Sequence, residues 1–159
     1  MSESQLRAMA AAAYASAHFM VLGTTEADGR ARVSPVYHER DGDDLYWISA
    51  PTATHSVNLA RDPRATAVVF DSTASVEHGG AVYVTGTAAR VAEDDLEAAC
   101  GVAFAHPRGG ARVFTPEDLS GDRVLRLYRL TARTVEVHLP GGHPLGGPRD
   151  GRGLVPPAS

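Results

Sequence analysis

Between residues 19 and 49 the chain reverses direction twice, and this punctuation constrains its fold more than any other feature. Residues 19–25 form a strand-like run, Asp28-Gly29 is a hairpin turn signal, and residues 31–39 read as a second strand. Asp41-Gly42-Asp43 then turns the chain into residues 45–49, which carry Tyr46 and the only Trp, Trp47. Strands joined by such tight turns pair antiparallel, so a meander is expected. Pro35 lacks a backbone N–H and marks the second strand as an edge or a bulge.

Downstream the pattern alternates between short helices and longer strands. Pro51-Thr52-Ala53-Thr54 supplies helix-start chemistry, residues 55–61 read as a short helix, and Asp62-Pro63 stops it. Residues 65–70 suit a buried strand, and residues 82–91 a long one in which Gly86 predicts a bulge or a close approach by another group. Glu93, Asp94 and Asp95 open a helix whose buried stripe is Leu96, Ala99, Cys100 and Ala103, and Thr115-Pro116 opens another. A final strand pair is expected over residues 124–130 and 134–139. A weakly amphipathic helix over residues 2–16 precedes the barrel strands. The expected fold is therefore mainly β, about six strands with short peripheral helices, in one domain over residues 1–139. Residues 140–159 form a Gly/Pro-rich C-terminal tail in which 11 of 20 residues are Gly or Pro. Such a composition builds no core of its own, and fraying is its expected state, with a functional lid as the alternative.

Composition removes several function classes. The chain of 159 residues has 43% hydrophobic and 21% charged residues, ordinary globular values. All 15 cationic residues are Arg, so a lysine aldimine is excluded and any phosphate must be held by Arg, His, hydroxyls or backbone N–H groups. With a net charge of −4 and dispersed Arg residues, no nucleic-acid footprint is present. No segment reads as a leader or a membrane span, so a cytoplasmic protein is expected. Cys100 on a helix face reads as an inert buried thiol. The seven His show no ligand spacing for a metal, and neither a Gly-x-Gly-x-x-Gly nor a P-loop motif occurs.

Two stretches carry candidate chemistry. In Ile48 to Ser56 a strand ends and a helix begins among Ser49, Thr52, Thr54, His55 and Ser56; helix N-termini attract anions, though these hydroxyls also make ordinary caps. In Arg30-Ala31-Arg32-Val33-Ser34-Pro35, alternation puts Arg30, Arg32 and Ser34 on one strand face, which suits either a phosphate or plain solvation.

The order of these segments, Asp-Gly turn, Arg-x-Ser-Pro-Val, Tyr-Trp strand, His-Ser-Val-Asn-Leu-Ala-Arg-Asp-Pro and then Val-Tyr-Val-Thr-Gly-Thr-Ala, resembles the pyridoxamine 5'-phosphate oxidase-like proteins from about residue 17 to 139. The resemblance implies a six-stranded antiparallel, Greek-key split β-barrel that works as a homodimer, with FMN in the clefts between subunits. It places Arg32, Val33, Ser34 and Pro35 along the flavin ring and ribityl chain, and Ile48 and Ser49 beside them. Thr54, His55 and Ser56 fall at the phosphate positions, and Ala81 and Val82 on a strand that reaches the flavin. The oxidases themselves have an Arg-Lys pair where Thr54-His55 stands, and a Trp plus an Arg-x-His motif near the C-terminus where only His138 stands. The implied activity is hydride transfer between flavin and a small organic substrate, by an FMN-dependent oxidoreductase rather than a pyridoxamine phosphate oxidase. Two alternatives share the barrel: a deazaflavin-dependent reductase, and a non-catalytic flavin- or haem-binding module.

Overall fold

The computed structural model describes residues 3 to 157. Its element order is α1 (Glu3–Ser16), β1 (Phe19–Thr25), β2 (Ala31–Tyr37), β3 (Glu39–Asp41), β4 (Asp44–Ser49), α2 (Thr54–Arg61), β5 (Arg64–Phe70), β6 (Ala81–Arg90), α3 (Leu96–Ala103), β7 (Arg126–Leu139) and β8 (Gly151–Val155). Ser2, expected to begin the first helix, lies outside the described residues. Both turns form where Asp-Gly predicts them, with Gly29 and Gly42 at positive φ. Thr115 closes a capping box with Asp118 over a short 3-10 turn, Pro116–Leu119.

Seven strands run in the order β2-β1-β5-β6-β7-β4-β3, all antiparallel, and β8 adds to β7. The two ends of that order, β2 and β3, are separated in sequence by a single residue, His38. In a flat sheet they would stand about 29 Å apart at about 4.8 Å per strand. Two backbone steps reach only about 7 Å. The sheet therefore curls until its ends meet, and no ladder joins β2 to β4 or β3 among the described residues. The result is the expected mainly β split barrel, with β2 on an edge as Pro35 requires.

Inside the barrel sit Met20, Leu22, Leu45, Trp47, Val69, Val82, Val84, Leu130 and Val137, and α1 covers one side with Ala10, Ala13 and Tyr14. A second core lies outside the barrel wall, where Leu96, Ala99, Cys100 and Ala103 of α3 pack on Tyr46 and Leu127. Cys100 is buried there, and burial pushes its thiol up, as an inert packing role requires.

Three expectations need correction. Residues 31–39 are two strands, because the chain must cross from one sheet end to the other at His38. The last strand pair is one 14-residue strand, β7, whose halves are aligned by the bulge that Gly86 permits: Thr85 faces Thr134 while Gly86 faces Ala132. The tail does not fray throughout, since Gly151–Val155 pairs along Val135–Leu139 and buries Val155 against the core. The reason is positional: β4 covers only the first half of β7, so its second half keeps an open edge for a strand that has no core of its own. Arg152 stacks 3.8 Å from the Tyr83 ring centre, and Arg7 joins Asp43 to the Pro156 carbonyl.

A Cβ on Gly86 would fall 2.0 Å from the Thr131 carbonyl oxygen, a backbone atom that cannot step aside. Gly86→Ala is therefore expected to cost about 2–3 kcal/mol by overpacking, read as a lower urea midpoint with an unchanged slope.

Candidate functional site

Where β4 ends, the chain turns through residues 50–53, Ala53 N–H donates to Ala50 O at 3.0 Å, and α2 starts at Thr54. The N-cap residue is Ala53, extended and without a side-chain oxygen, so no side chain caps the first turn. Simple capping by Thr52 or Thr54 is thus not what these hydroxyls do. The first-turn N–H groups of Thr54, His55 and Ser56 are left open to an outside acceptor. Beside them His55 Nε2 lies 2.8 Å from Ser49 Oγ, and Ser56 Oγ is buried without a hydrogen-bond partner. Burial lowers the His55 imidazole below its ordinary value, so the ring is neutral at pH 7 and becomes a cation only on acidification.

The helix is docked on β1. Asn58 Nδ2 donates to Thr24 Oγ1 at 3.1 Å, and Arg61 reaches Thr25 O. Thr24 is also the register partner of Arg32, so strand β2 and helix α2 share one supporting residue. Arg32 and Ser34 alternate with Val33 and Pro35, which face the other side. Arg32 pairs with Glu26, and Arg30 with Asp28 at 2.8 Å, so both guanidinium charges are already engaged locally.

Three cavities divide the remaining expected site residues. Arg32 and Val33 line a wide groove of about 710 Å³ walled by Thr66, Thr85 and Arg133. Ile48 lines a cavity of about 290 Å³ with Tyr37, Glu39, Tyr46, Phe104 and Phe114. Ala81 lines a third of about 260 Å³ with His78 and His138. His55 lines none of the three. Val82 is sealed in the barrel core, so its side chain is not available to a ligand. The structure thus gathers Ser49, His55 and Ser56 into one corner, leaves Arg32 on a groove that none of those three lines, and sends Ile48 and Ala81 elsewhere.

The aromatic cavity was not anticipated from the sequence. Tyr37 ends β2 and Glu39 begins β3, so the two meet at one cavity only because the sheet ends are brought together at His38. The Phe104 and Phe114 that complete the walls flank the Gly-Gly loop at 109–110 and reach the cavity only through tertiary packing.

The model of the family described as pyridoxamine 5'-phosphate oxidase matches residues 6–138. A solved haem-binding protein from Mycobacterium smegmatis superimposes over 98% of this chain at a TM-score of 0.67 and 21% identity; this chain spans only 59% of that protein. The haem storage protein HutZ from Vibrio cholerae matches over 82% of this chain and 89% of its own, with a TM-score of 0.61 and 19% identity. PhzG from Burkholderia lata, solved with tetrahydrophenazine-1-carboxylic acid, matches over 97% and 91%, with a TM-score of 0.61 and 14% identity. At these identities the structures share the fold with this chain. No curated protein sequence matches it.

Ser56→Ala removes a buried hydroxyl that has no partner in the chain. Without an anion, stability is expected to hold or rise by up to about 1 kcal/mol, while the upward shift of Tm produced by added phosphate shrinks; thermal melts with and without phosphate read both.

Proposed function

The chain belongs to the pyridoxamine 5'-phosphate oxidase family, and from that membership we propose that it is an FMN-binding oxidoreductase acting on a small organic substrate. The observation that carries this reading is the uncapped first turn of α2, set against the buried, unpartnered Ser56 hydroxyl and the Ser49–His55 pair. These groups fit a phosphate by hydrogen bonding more than by charge. Thr54, His55 and Ser56 would hold the phosphate through N–H and O–H donors, Thr52 would border it, and Ser34 and Ser49 would face the ribityl chain. Arg32 would add charge on leaving Glu26.

A bound flavin supplies hydride acceptance and donation. The chain's part is to orient the group and to exclude water, and none of the residues named need move a proton. A second reading, a barrel that holds flavin or haem without turnover, is favoured by the state of the side chains expected to carry charge to the phosphate: Arg30 and Arg32 are paired and His55 is neutral. The haem-binding proteins of the same fold make that reading concrete.

Homodimerisation is part of the proposal. The outward face of β1 and β2 carries Phe19 and Val33, 59% and 68% exposed, in the same layer as Val21, Pro35 and Tyr37. An apolar sheet face of this kind needs a cover, and a second copy supplies one with twofold symmetry. No helix among the described residues is long and apolar enough to cross a membrane.

Denaturing the purified protein and identifying the released molecule tests the cofactor directly. FMN gives two visible absorption bands, a deazaflavin one at shorter wavelength, and haem a Soret band; sustained oxidation of reduced nicotinamide separates enzyme from carrier. Arg32→Ala and His55→Ala are each expected to weaken retention with little loss of fold. Sulfate, whose charge does not change between pH 8 and 5, should bind more tightly as the pH falls and His55 gains its proton; the gain should vanish in His55→Ala. In sedimentation, the double change Phe19→Glu and Val33→Glu should convert a dimer to a monomer and release the cofactor with it.

A further inference from the structure

The cavity between the barrel wall and the segment that follows α3 is lined by one acid. Glu39 is 7% exposed, lies opposite Tyr46 in the β3–β4 ladder, and lines the cavity. Its Oε1 is buried without a hydrogen-bond partner. Nearby cations are committed elsewhere. Arg108 donates to the carbonyl oxygens of Tyr14, Ala17 and His38, at 3.1, 3.2 and 2.6 Å, and approaches the Glu39 carboxylate with its backbone N–H and with Nε, 3.9 Å from Oε2. Arg112 pairs with Asp118 at 3.0 Å and lies over the Phe114 ring. Apart from Glu39 and Arg112 the walls are apolar or aromatic, with Tyr37, Tyr46, Trp47, Phe104 and Phe114 supplying the rings.

We propose that this cavity is a second binding site, which takes a planar aromatic molecule bearing an N–H donor and seats that donor on the Glu39 carboxylate. Three features converge on this class. The volume of about 290 Å³ accommodates a fused bicyclic ring. Aromatic walls stack on such a ring with little entropic loss. A buried acceptor without a partner discriminates sharply, because a ligand without the donor leaves the acceptor's desolvation uncompensated. Tyr37 OH donates to Arg108 O at 3.0 Å and ties the covering loop to the end of β2, two residues before Glu39, which holds the cavity's shape in advance of binding.

This inference does not rest on the cofactor reading, and its test needs no flavin. Indole and benzofuran have nearly the same shape and differ in N–H against O. Titration calorimetry of the full chain, freed of any cofactor, is expected to show indole binding about ten-fold tighter, the factor set by one hydrogen bond to a buried acceptor. Glu39→Leu should level the two probes, and Ala111→Phe, which fills the cavity from its loop, should abolish binding of both. Circular dichroism verifies the fold of each variant. Equal affinities in the unaltered chain, no binding of indole, or binding that survives Ala111→Phe would overturn the proposal. The comparison in the unaltered chain decides the matter even if Glu39→Leu fails to fold.

Discussion

One residue of chain, His38, joins the two ends of a seven-strand sheet, and the rest of the structure follows from that short tether. It compels the sheet to roll, creates an inside and an outside for every strand, and leaves a seam where β2 and β4 approach without hydrogen-bonding. The joint is held from several directions. His38 N–H donates to His18 O at 3.0 Å, and Arg108 donates to His38 O at 2.6 Å. Burial, reinforced by the Arg108 charge, lowers the His38 imidazole to about 4, so the joint is neutral at physiological pH. An unfolded chain takes up that proton near 6.5. The folded state therefore gives up this stabilisation as the pH falls through the ordinary His range toward 4.

Rolling the sheet also gives β4 two different jobs. Leu45, Trp47 and Ser49 face the barrel interior, and Ser49 meets His55 at its rim. Tyr46 and Ile48 face outward toward α3 and form part of the aromatic cavity. A single six-residue strand thus serves a polar corner suited to an anion and an apolar cavity with one buried acid. Their chemistries are complementary: hydrogen-bond donors dominate the first, and an unpartnered acceptor the second. The two lie back to back because strand side chains alternate.

Local features were legible in the amino acids. Asp28-Gly29 and Gly42 turn as expected because positive φ is open to glycine. Pro35 lies on an edge strand because it cannot donate to a second neighbour, and Gly86 marks the bulge because no side chain fits against Thr131 O. Thr115-Pro116 begins a helical turn with a capping box. Misreadings arose where a segment's fate depends on a distant partner. Thr52 and Thr54 are sound capping residues, yet the cap position falls on Ala53 because the turn after β4 sets where α2 starts. The Gly/Pro-rich tail has no core to offer, but the uncovered edge of β7 orders part of it.

Strand periodicity, turn chemistry and the absence of Lys were thus properties of the sequence itself, since each rests on near neighbours or on residue type alone. Family membership followed from their order along the chain. Tertiary structure alone decided that Asn58 would reach Thr24, that the Ser56 hydroxyl would be buried without a partner, and that Glu39 would be buried with an oxygen unpaired. Those outcomes depend on groups dozens of residues apart being brought within about 4 Å, and only the closed curl of the sheet brings them there.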